Sequence, residues 1–158
     1  MPLFHFLPRE HDPGDLVEPG NFGRLLRTHE AWAAFGRVVV TGMLCREMLW
    51  ERMRLVEFDH LPSRLDCVFL LPERADVDAY GRENNKDRRQ ILHEVELVDP
   101  KSPTHTAWIS HCTMTSGGSF LEQMEPKGRA YWSGEPGDPT QGRELLVKGK
   151  IRVVRRTS

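Results

Sequence analysis

A histidine near the start of the chain and a glutamate near its end each lie in a short apolar segment. Phe4-His5-Phe6 opens the first apolar run, and Glu144 stands near the head of the late run 142–147 (GRELLV). Short apolar runs bounded by proline and glycine are typical of strands. The two side chains can meet only if folding brings the two strands together. The sequence therefore predicts a cleft at which both ends of the chain supply a polar group.

Composition fits one ordinary globular domain covering residues 1–158. The chain is 39% apolar and 28% charged, with a formal net charge of −1. A chain of this length buries roughly 70% of the surface that it exposes when unfolded. The charge balance favours neither nucleic acid nor an anionic membrane as a partner. No apolar run approaches the roughly 20 residues that a membrane span needs.

The amino terminus and the cysteines predict a cytoplasmic protein. The start, MPLFH, has neither the basic region nor the long apolar region of a secretory signal. The three cysteines, Cys45, Cys67 and Cys112, have no CxxC spacing. An odd count without that spacing is typical of reduced structural thiols.

Apolar periodicity predicts the order β-α-α-β-α-β-(α)-β-β, and therefore an α+β fold with helices packed on a split or twisted sheet. Thr28 is expected to cap the first of these helices, and the last two strands meet around Gly149 as a tight hairpin or a bend. Strands are predicted at 3–7, 65–71, 89–98, 144–148 and 150–155. Helices are predicted at 30–35, 40–54, 72–80 and part of 120–132. Loops are predicted at 9–23, 81–87, 99–118 and 133–142.

The second predicted helix has an apolar and a polar side. Met48 and Trp50 belong to the side expected to be buried, together with Val40, Met43 and Leu44. Glu47 and Glu51 lie four residues apart on the side expected to face solvent.

Three residues suit the recognition of a sugar and a flat ring. His5, held between two phenylalanines, could form a fixed hydrogen bond to a sugar hydroxyl, or could simply bond to backbone. Glu144 could stabilise positive charge that builds on a sugar ring, or could pair with Arg143 or Lys148. Tyr80, one of two tyrosines, could stack on an aromatic ligand or lie at the edge of the core. The pair Tyr131-Trp132 is expected to belong to the core.

A glycine-rich loop and several arginines suit a phosphate group. The loop that contains Gly14-Asp15 could fold over a dinucleotide and offer backbone N–H groups. Arg24, Arg27 and Arg64 are candidates for a diphosphate, because a guanidinium matches the spacing of phosphate oxygens. No metal is expected, since Glu47, Glu51 and His60 lack a second histidine at a supporting spacing. Neither a P-loop nor a GxGxxG motif is present.

These segments resemble the ADP-ribosyltransferase superfamily, in its histidine-tyrosine-glutamate branch. The His5 strand followed by residues 13–20 (PGDLVEPG) resembles the opening of the small rifampicin ADP-ribosyltransferases. Residues 68–72 (VFLLP), with a helix that reaches Ala79-Tyr80, resemble the middle strand-helix unit of the superfamily. Glu144-Leu145-Leu146-Val147 is similar to the late strand that carries its glutamate.

A family of small bacterial proteins in the same clan resembles the chain more closely. The shared features are residues 46–51 (REMLWE), residues 62–65 (PSRL) and the run from Tyr131-Trp132 to Glu144. The resemblance covers most of the chain. It implies an ADP-ribosyltransferase-like split β-sheet with NAD bound in an open cleft.

The resemblance also implies a role for each site residue. His5 would bond the ribose next to nicotinamide, Tyr80 would stack on nicotinamide, and Glu144 would hold the 2′-hydroxyl of that ribose. Phe6 stands where many members have a glycine that clamps the carboxamide. The candidate NAD-binding residues are His5, Phe6, Asp15, Arg24, Ser63, Arg64 and Tyr80, and His5 and Glu144 are the candidate catalytic residues. Gly142 replaces the Glu or Gln that often accompanies modification of arginine, which makes arginine a less favoured acceptor.

The sequence therefore predicts an NAD-dependent ADP-ribosyltransferase of the bacterial cytoplasm. The acceptor stays open among a protein, a nucleic acid and a small molecule, and so does a regulatory partner that orders the loop 9–23. A toxin or phage-defence role suits a compact domain of this kind. The alternative from another class is a module on the same fold that binds NAD, ADP-ribose or a protein without turnover. Removal of an RNA 2′-phosphate with NAD is a smaller third alternative.

Overall fold

The chain combines α-helices with antiparallel β-strands, as the sequence predicts. The structure is a computed structural model that describes residues 2–28, 37–84, 89–115 and 117–157. None of its helices is long and apolar enough to cross a membrane, within these ranges. The strands are β1 (Leu3–Leu7), β2 (Leu16–Val17), β3 (Val68–Leu70), β4 (Ile91–Leu97), β5 (Thr104–Trp108), β6 (Arg143–Val147) and β7 (Ile151–Arg156). The α-helices are α1 (Asn21–Arg27), α2 (Arg37–Glu57), α3 (Arg74–Asn84) and α4 (Phe120–Ser133). Two 3-10 helices span Arg64–Asp66 and Ile109–Cys112.

The strands form two sheets that meet at one point. The larger sheet has the order β1-β4-β7-β2 and the smaller one β3-β6-β5, with every pair antiparallel. In the part of the chain that the structure describes, a single bridge joins them, since Phe4 and Leu71 exchange backbone hydrogen bonds of 3.0 and 2.8 Å. Strands β1 and β3 belong to different sheets, and residues of both line a cavity beside this bridge.

Alternation along β6 assigns its side chains to two cores. Leu145 and Val147 pack into an apolar cluster that takes residues from both sheets, including Leu7, Val95 and Val153. Leu146 packs on the opposite face, among side chains of α2 and α4. Because side chains alternate along a strand, Glu144 lies on the same face as Leu146. The alternation of side chains along β6 thus places Glu144 on the face that packs against α2 and α4.

Helices α2 and α4 make a close contact at a glycine. Trp50 of α2 is fully buried, and its indole N–H donates to the Met124 carbonyl over 2.9 Å. A β-carbon at Gly128 would lie 2.7 Å from Trp50 Nε1 and 3.1 Å from Met53 Sδ. The sequence predicts that Pro126 and Gly128 interrupt this helix, yet α4 is continuous. Gly128 is needed for packing, and the burial of Tyr131 and Trp132 offsets the hydrogen bond that Pro126 cannot donate.

The buried face of α2 differs from the predicted one. Met48 is 65% exposed, whereas Glu47 is 2% exposed. Arg46 and Arg54 are buried as well, and Trp50 is buried as predicted. The prediction was wrong for Glu47 and Met48 because a hydropathy pattern assigns charged residues to the polar side of a helix. Charged side chains can nevertheless be buried where they pair with a buried side chain of opposite charge.

Several element predictions are confirmed and others are wrong. Strands 3–7 and 91–97 lie where the sequence predicts them. The strands on either side of Gly149 do not form a hairpin, because β6 and β7 belong to different sheets. Strands β2 and β5 lie within predicted loops, and α3 continues through Gly81 to Asn84. Thr28 is the C-cap of α1, and the helix at 30–35 that it is predicted to start lies outside the described residues.

The contact at Gly128 predicts opposite effects for two helical glycines. We expect Gly128→Ala to lower the free energy of unfolding by about 1–3 kcal/mol, because the new methyl group overlaps Trp50. Gly81→Ala in α3 is the control, since its β-carbon would meet only Phe6, at 3.9 Å. That variant should gain about 0.5–1 kcal/mol from its helix propensity. Urea unfolding of both variants measures the difference, and a stabilised Gly128→Ala would contradict the packing described here.

Candidate functional site

A cavity of about 1060 Å³ opens beside the bridge between the two sheets. Its volume is at the upper end of the range for ligand sites. Five of the residues predicted from the sequence line it, although they come from distant parts of the chain: His5, Phe6, Arg64, Tyr80 and Glu144. Folding therefore brings the amino-terminal histidine and the carboxy-terminal glutamate to one cavity.

Three other predicted residues lie away from this cavity. Asp15 is bonded to His11 at 3.1 Å in the loop before β2. Ser63 is buried and donates to Glu51 Oε2 over 2.9 Å. Arg24 lies on α1, where it donates to Asn21. Asp15, Ser63 and Arg24 thus do not join His5, Arg64 and Glu144 at the cavity.

His5 is held as a neutral ring. Its Nδ1 lies 2.8 Å from the Phe69 carbonyl, which can only accept, so Nδ1 carries the proton. Burial lowers the pKa of His5 from 6.5 to about 4, although the Phe69 hydrogen bond opposes the shift. The other ring nitrogen, Nε2, is then an acceptor at neutral pH. One ring nitrogen of His5 thus bonds to backbone and the residue also lines the cavity, while its hydrogen bond to a sugar hydroxyl stays a prediction.

The start of β6 is fixed by helix α3. Gly142, just before the strand, has a φ of +76° and lies so close to Asp76 that a β-carbon would come within 3.1 Å of its Cα. The Asp76 carboxylate accepts from the Arg143 backbone N–H over 2.8 Å and from its guanidinium over 3.0 Å. These contacts fix the backbone of the two residues that directly precede Glu144.

Glu144 pairs with a buried arginine that the sequence assigned to a phosphate. Arg64 is 5% exposed, and its Nη1 donates to Glu144 Oε1 and to the Tyr131 hydroxyl. The Tyr131 hydroxyl in turn donates to Glu144 Oε1 over 2.7 Å. The partner of Glu144 is thus Arg64, and Arg143 pairs with Asp76.

A second carboxylate, that of Glu47, also pairs with Arg64. Arg64 Nε donates to Glu47 Oε2 over 3.0 Å, and Arg46 donates to Glu47 Oε1 over 2.8 Å. Burial alone would lower the pKa of Arg64, but the charges of Glu144 and Glu47 raise it well above its usual value. The guanidinium therefore stays charged, and Arg46, Glu47, Arg64 and Glu144 form one buried network of alternating charge.

Two polar atoms of this network are left for a ligand. The hydrogen bonds to Glu144 end on Oε1, and those from Arg64 start at Nε and Nη1. Neither Glu144 Oε2 nor Arg64 Nη2 bonds to any residue in the described part of the chain. Since both side chains line the cavity, they offer it one acceptor and one donor.

The remaining walls are aromatic and basic. The Phe6 and Tyr80 rings stack with centroids 5.5 Å apart and planes at 26°. Arg46 and Arg82 also line the cavity, so three arginines face one glutamate. Cys112 lines it too, but burial raises the pKa of its thiol to about 12, which makes it a poor nucleophile at neutral pH. Across the described residues, no group of three or more histidine, cysteine or acidic side chains could hold a metal ion.

Sequence reasoning missed Arg46, Glu47 and Tyr131. Arg46 and Glu47 follow the helical spacing of the buried residues of α2. Arg46, Trp50 and Met53 recur at i, i+4 and i+7, and Glu47 lies three residues before Trp50. That periodicity was a usable signal. Tyr131 was expected in the core, which is where its ring lies, but no pattern in the chain relates its hydroxyl to Glu144.

The depressed pKa of His5 predicts a loss of stability in acid. Unfolded histidine binds a proton near pH 6.5, while folded His5 stays neutral to about pH 4. Stability from this residue is therefore complete above pH 6.5 and decreases as the pH falls toward 4, by about 2–3 kcal/mol. His5→Asn keeps an N–H donor for the Phe69 carbonyl and does not titrate. Urea unfolding at pH 7 and about pH 4.5 should show a smaller loss in this variant, and equal losses would contradict the assignment.

Comparison with known protein families identifies a match to this chain. The family described as "Protein of unknown function (DUF2441)" matches residues 26–158. No curated protein matches the chain. The matched residues include Arg46, Arg64, Tyr131 and Glu144, while His5 precedes them. Because the match covers more than half of the chain, the protein belongs to the DUF2441 family.

Proposed function

We propose that the protein is an NAD-dependent ADP-ribosyltransferase with an ADP-ribosyltransferase-like split β-sheet. The observation that carries the proposal is the meeting of His5, Tyr80 and Glu144 at one cavity. These residues come from β1, α3 and β6, and the sequence resemblance assigns each of them a role toward NAD. Two antiparallel sheets that join only at Phe4 and Leu71 support the proposed fold.

The chemistry of the cavity supports an anionic dinucleotide as the ligand. NAD has a diphosphate, ribose hydroxyls and an aromatic nicotinamide. Arg46, Arg64 and Arg82 carry three positive charges against the two negative charges of Glu47 and Glu144, and the one positive charge left over favours an anion. His5 Nε2 and Glu144 Oε2 are acceptors suited to ribose hydroxyls, and the Phe6–Tyr80 pair provides a flat apolar wall.

The reaction follows from the position of the carboxylate. The bond between ribose C1′ and the nicotinamide nitrogen breaks, and its electron pair returns to the ring, which leaves as neutral nicotinamide. Positive charge then develops on C1′ and the ring oxygen of the ribose. Glu144 Oε2 would stabilise this charge and accept from the 2′-hydroxyl, while His5 would hold the ribose. An acceptor nucleophile then bonds to C1′ and loses its proton.

The proposal does not choose between a protein, a nucleic acid and a small molecule as the acceptor of the ADP-ribose group. Gly142 stands two residues before Glu144, where the resemblance associates a Glu or Gln with modification of arginine. A β-carbon there would lie 3.1 Å from Asp76 and Ala79 and would need the φ of +76°, which favours glycine. Both points support an acceptor other than arginine. We place the reaction in the bacterial cytoplasm, where NAD is available, and a toxin or phage-defence role is in keeping with it.

A non-catalytic binding module is the second candidate, and one observation favours it. Glu144 is already paired with Arg64, which cancels part of the charge that would stabilise a cationic transition state. A paired carboxylate can still accept hydrogen bonds from ribose. Tight binding of NAD or ADP-ribose without release of nicotinamide would support this candidate.

Removal of the Glu144 charge tests the proposed reaction. We expect Glu144→Gln to reduce nicotinamide release from NAD by about 100-fold or more, while NAD binding stays within a few-fold. Glu51→Gln is the matched control, because it also deprives an arginine, Arg54, of its carboxylate partner, and it does not line the cavity. The assay compares purified proteins with cell lysate as the source of acceptors. Unchanged release in Glu144→Gln would contradict the proposal.

The aromatic wall predicts a different response from two Tyr80 variants. Tyr80→Phe keeps the ring, so we expect its KM for NAD to stay within about twofold of the wild type. Tyr80→Ala loses about 1 kcal/mol of stacking and should raise KM about fivefold. Steady-state kinetics of nicotinamide release measure both values. Equal KM values in the two variants would show that Tyr80 does not stack on the substrate.

A further inference from the structure

We infer that Tyr131 is a positioning residue that, together with Arg64, holds Glu144 by one oxygen and presents the other to the cavity. This inference rests on the proposed function and adds a residue to its machinery. It starts from an asymmetry: Glu144 Oε1 accepts from both Arg64 and Tyr131, whereas Oε2 accepts from no residue in the described ranges. A carboxylate bound in this way cannot rotate about its last bond without losing both donors.

The donors themselves are fixed by buried neighbours. The Tyr131 ring is fully buried, with the Trp50 and Trp132 ring centroids both 5.0 Å away. Arg64 is anchored through Nε to Glu47, and its guanidinium carbon lies 4.9 Å from the centroid of the Phe69 ring. Neither donor can follow Glu144 if the carboxylate moves. The position of Oε2 is therefore set by the core and does not depend on a flexible surface contact.

The two donors contribute differently. Arg64 brings a full positive charge, which holds Oε1 but also weakens the field that Glu144 exerts on a ligand. The Tyr131 hydroxyl is a neutral donor, and burial raises its pKa well above the usual value, so it keeps its proton. Tyr131 thus fixes the direction of the carboxylate without cancelling its charge. Removal of its hydroxyl should disturb orientation while the ion pair remains.

Tyr131→Phe tests this role against Arg54→Lys. We expect Tyr131→Phe to lower kcat for nicotinamide release about 10- to 100-fold, with KM for NAD within about threefold. Arg54→Lys also loses a buried hydrogen bond, from its guanidinium to the Leu61 carbonyl at 2.9 Å, but Arg54 neither lines the cavity nor bonds to Tyr131 or Glu144. It should lower Tm and leave kcat within about twofold. A merely structural role for Tyr131 would make the two variants behave alike, and that result would overturn the inference.

Crystal structures of the wild type and of Tyr131→Phe separate this inference from the proposed function. We expect the Glu144 carboxylate to be rotated or to occupy two rotamers in the variant, while the contact between Arg64 and Glu47 is unchanged. An unmoved carboxylate would overturn the inference even if the wild type releases nicotinamide. If the wild type releases none, the proposed reaction fails, and the carboxylate position in the variant still decides whether Tyr131 orients Glu144.

Discussion

The buried guanidinium of Arg64 is the constraint on which the rest of the site depends. Removing a charge from water costs several kcal/mol unless partners of opposite sign compensate for it. Arg64 is compensated by Glu47 from α2 and Glu144 from β6, and its Nη1 also donates to the Tyr131 hydroxyl of α4. One side chain thus ties a 3-10 helix, two long helices and a strand together. The packing of the core and the geometry of the cavity cannot be varied independently.

The same arrangement explains why the cavity combines apolar walls with a polar base. The two sheets touch at Phe4 and Leu71, and the space beside this bridge is lined by β1, β3 and α3. The aromatic pair Phe6–Tyr80 forms part of the wall, while Glu144 and Arg64 belong to the charged network. Aromatic and aliphatic side chains thus line one cavity together with convergent polar groups, a combination typical of sites for small molecules.

Local patterns predicted the elements whose signal is contained within one segment. Strand β1 and the helix that contains Tyr80 have clear apolar periods, although the helix continues past its predicted end to Asn84. Gly149 was predicted to form a tight hairpin or a bend because two strands flank it. The chain bends there, since β6 and β7 join different sheets, and only long-range pairing decides between the two. Gly128 was read as a break because its packing against Trp50, far away in the sequence, is invisible in a local window.

The sequence by itself determined that His5 and Glu144 lie on strands, that Tyr80 lies on a helix, and that helices and strands are mixed in one chain. Alternation along a strand and the period of a helix are local properties, so they can be read without the fold. Only the tertiary structure decided that Arg64 is buried beside Glu144, that Tyr131 donates to it, and that Asp15 and Arg24 lie elsewhere. Those facts depend on which buried charge meets which partner, and electrostatic pairing between distant segments leaves no periodic pattern in the sequence.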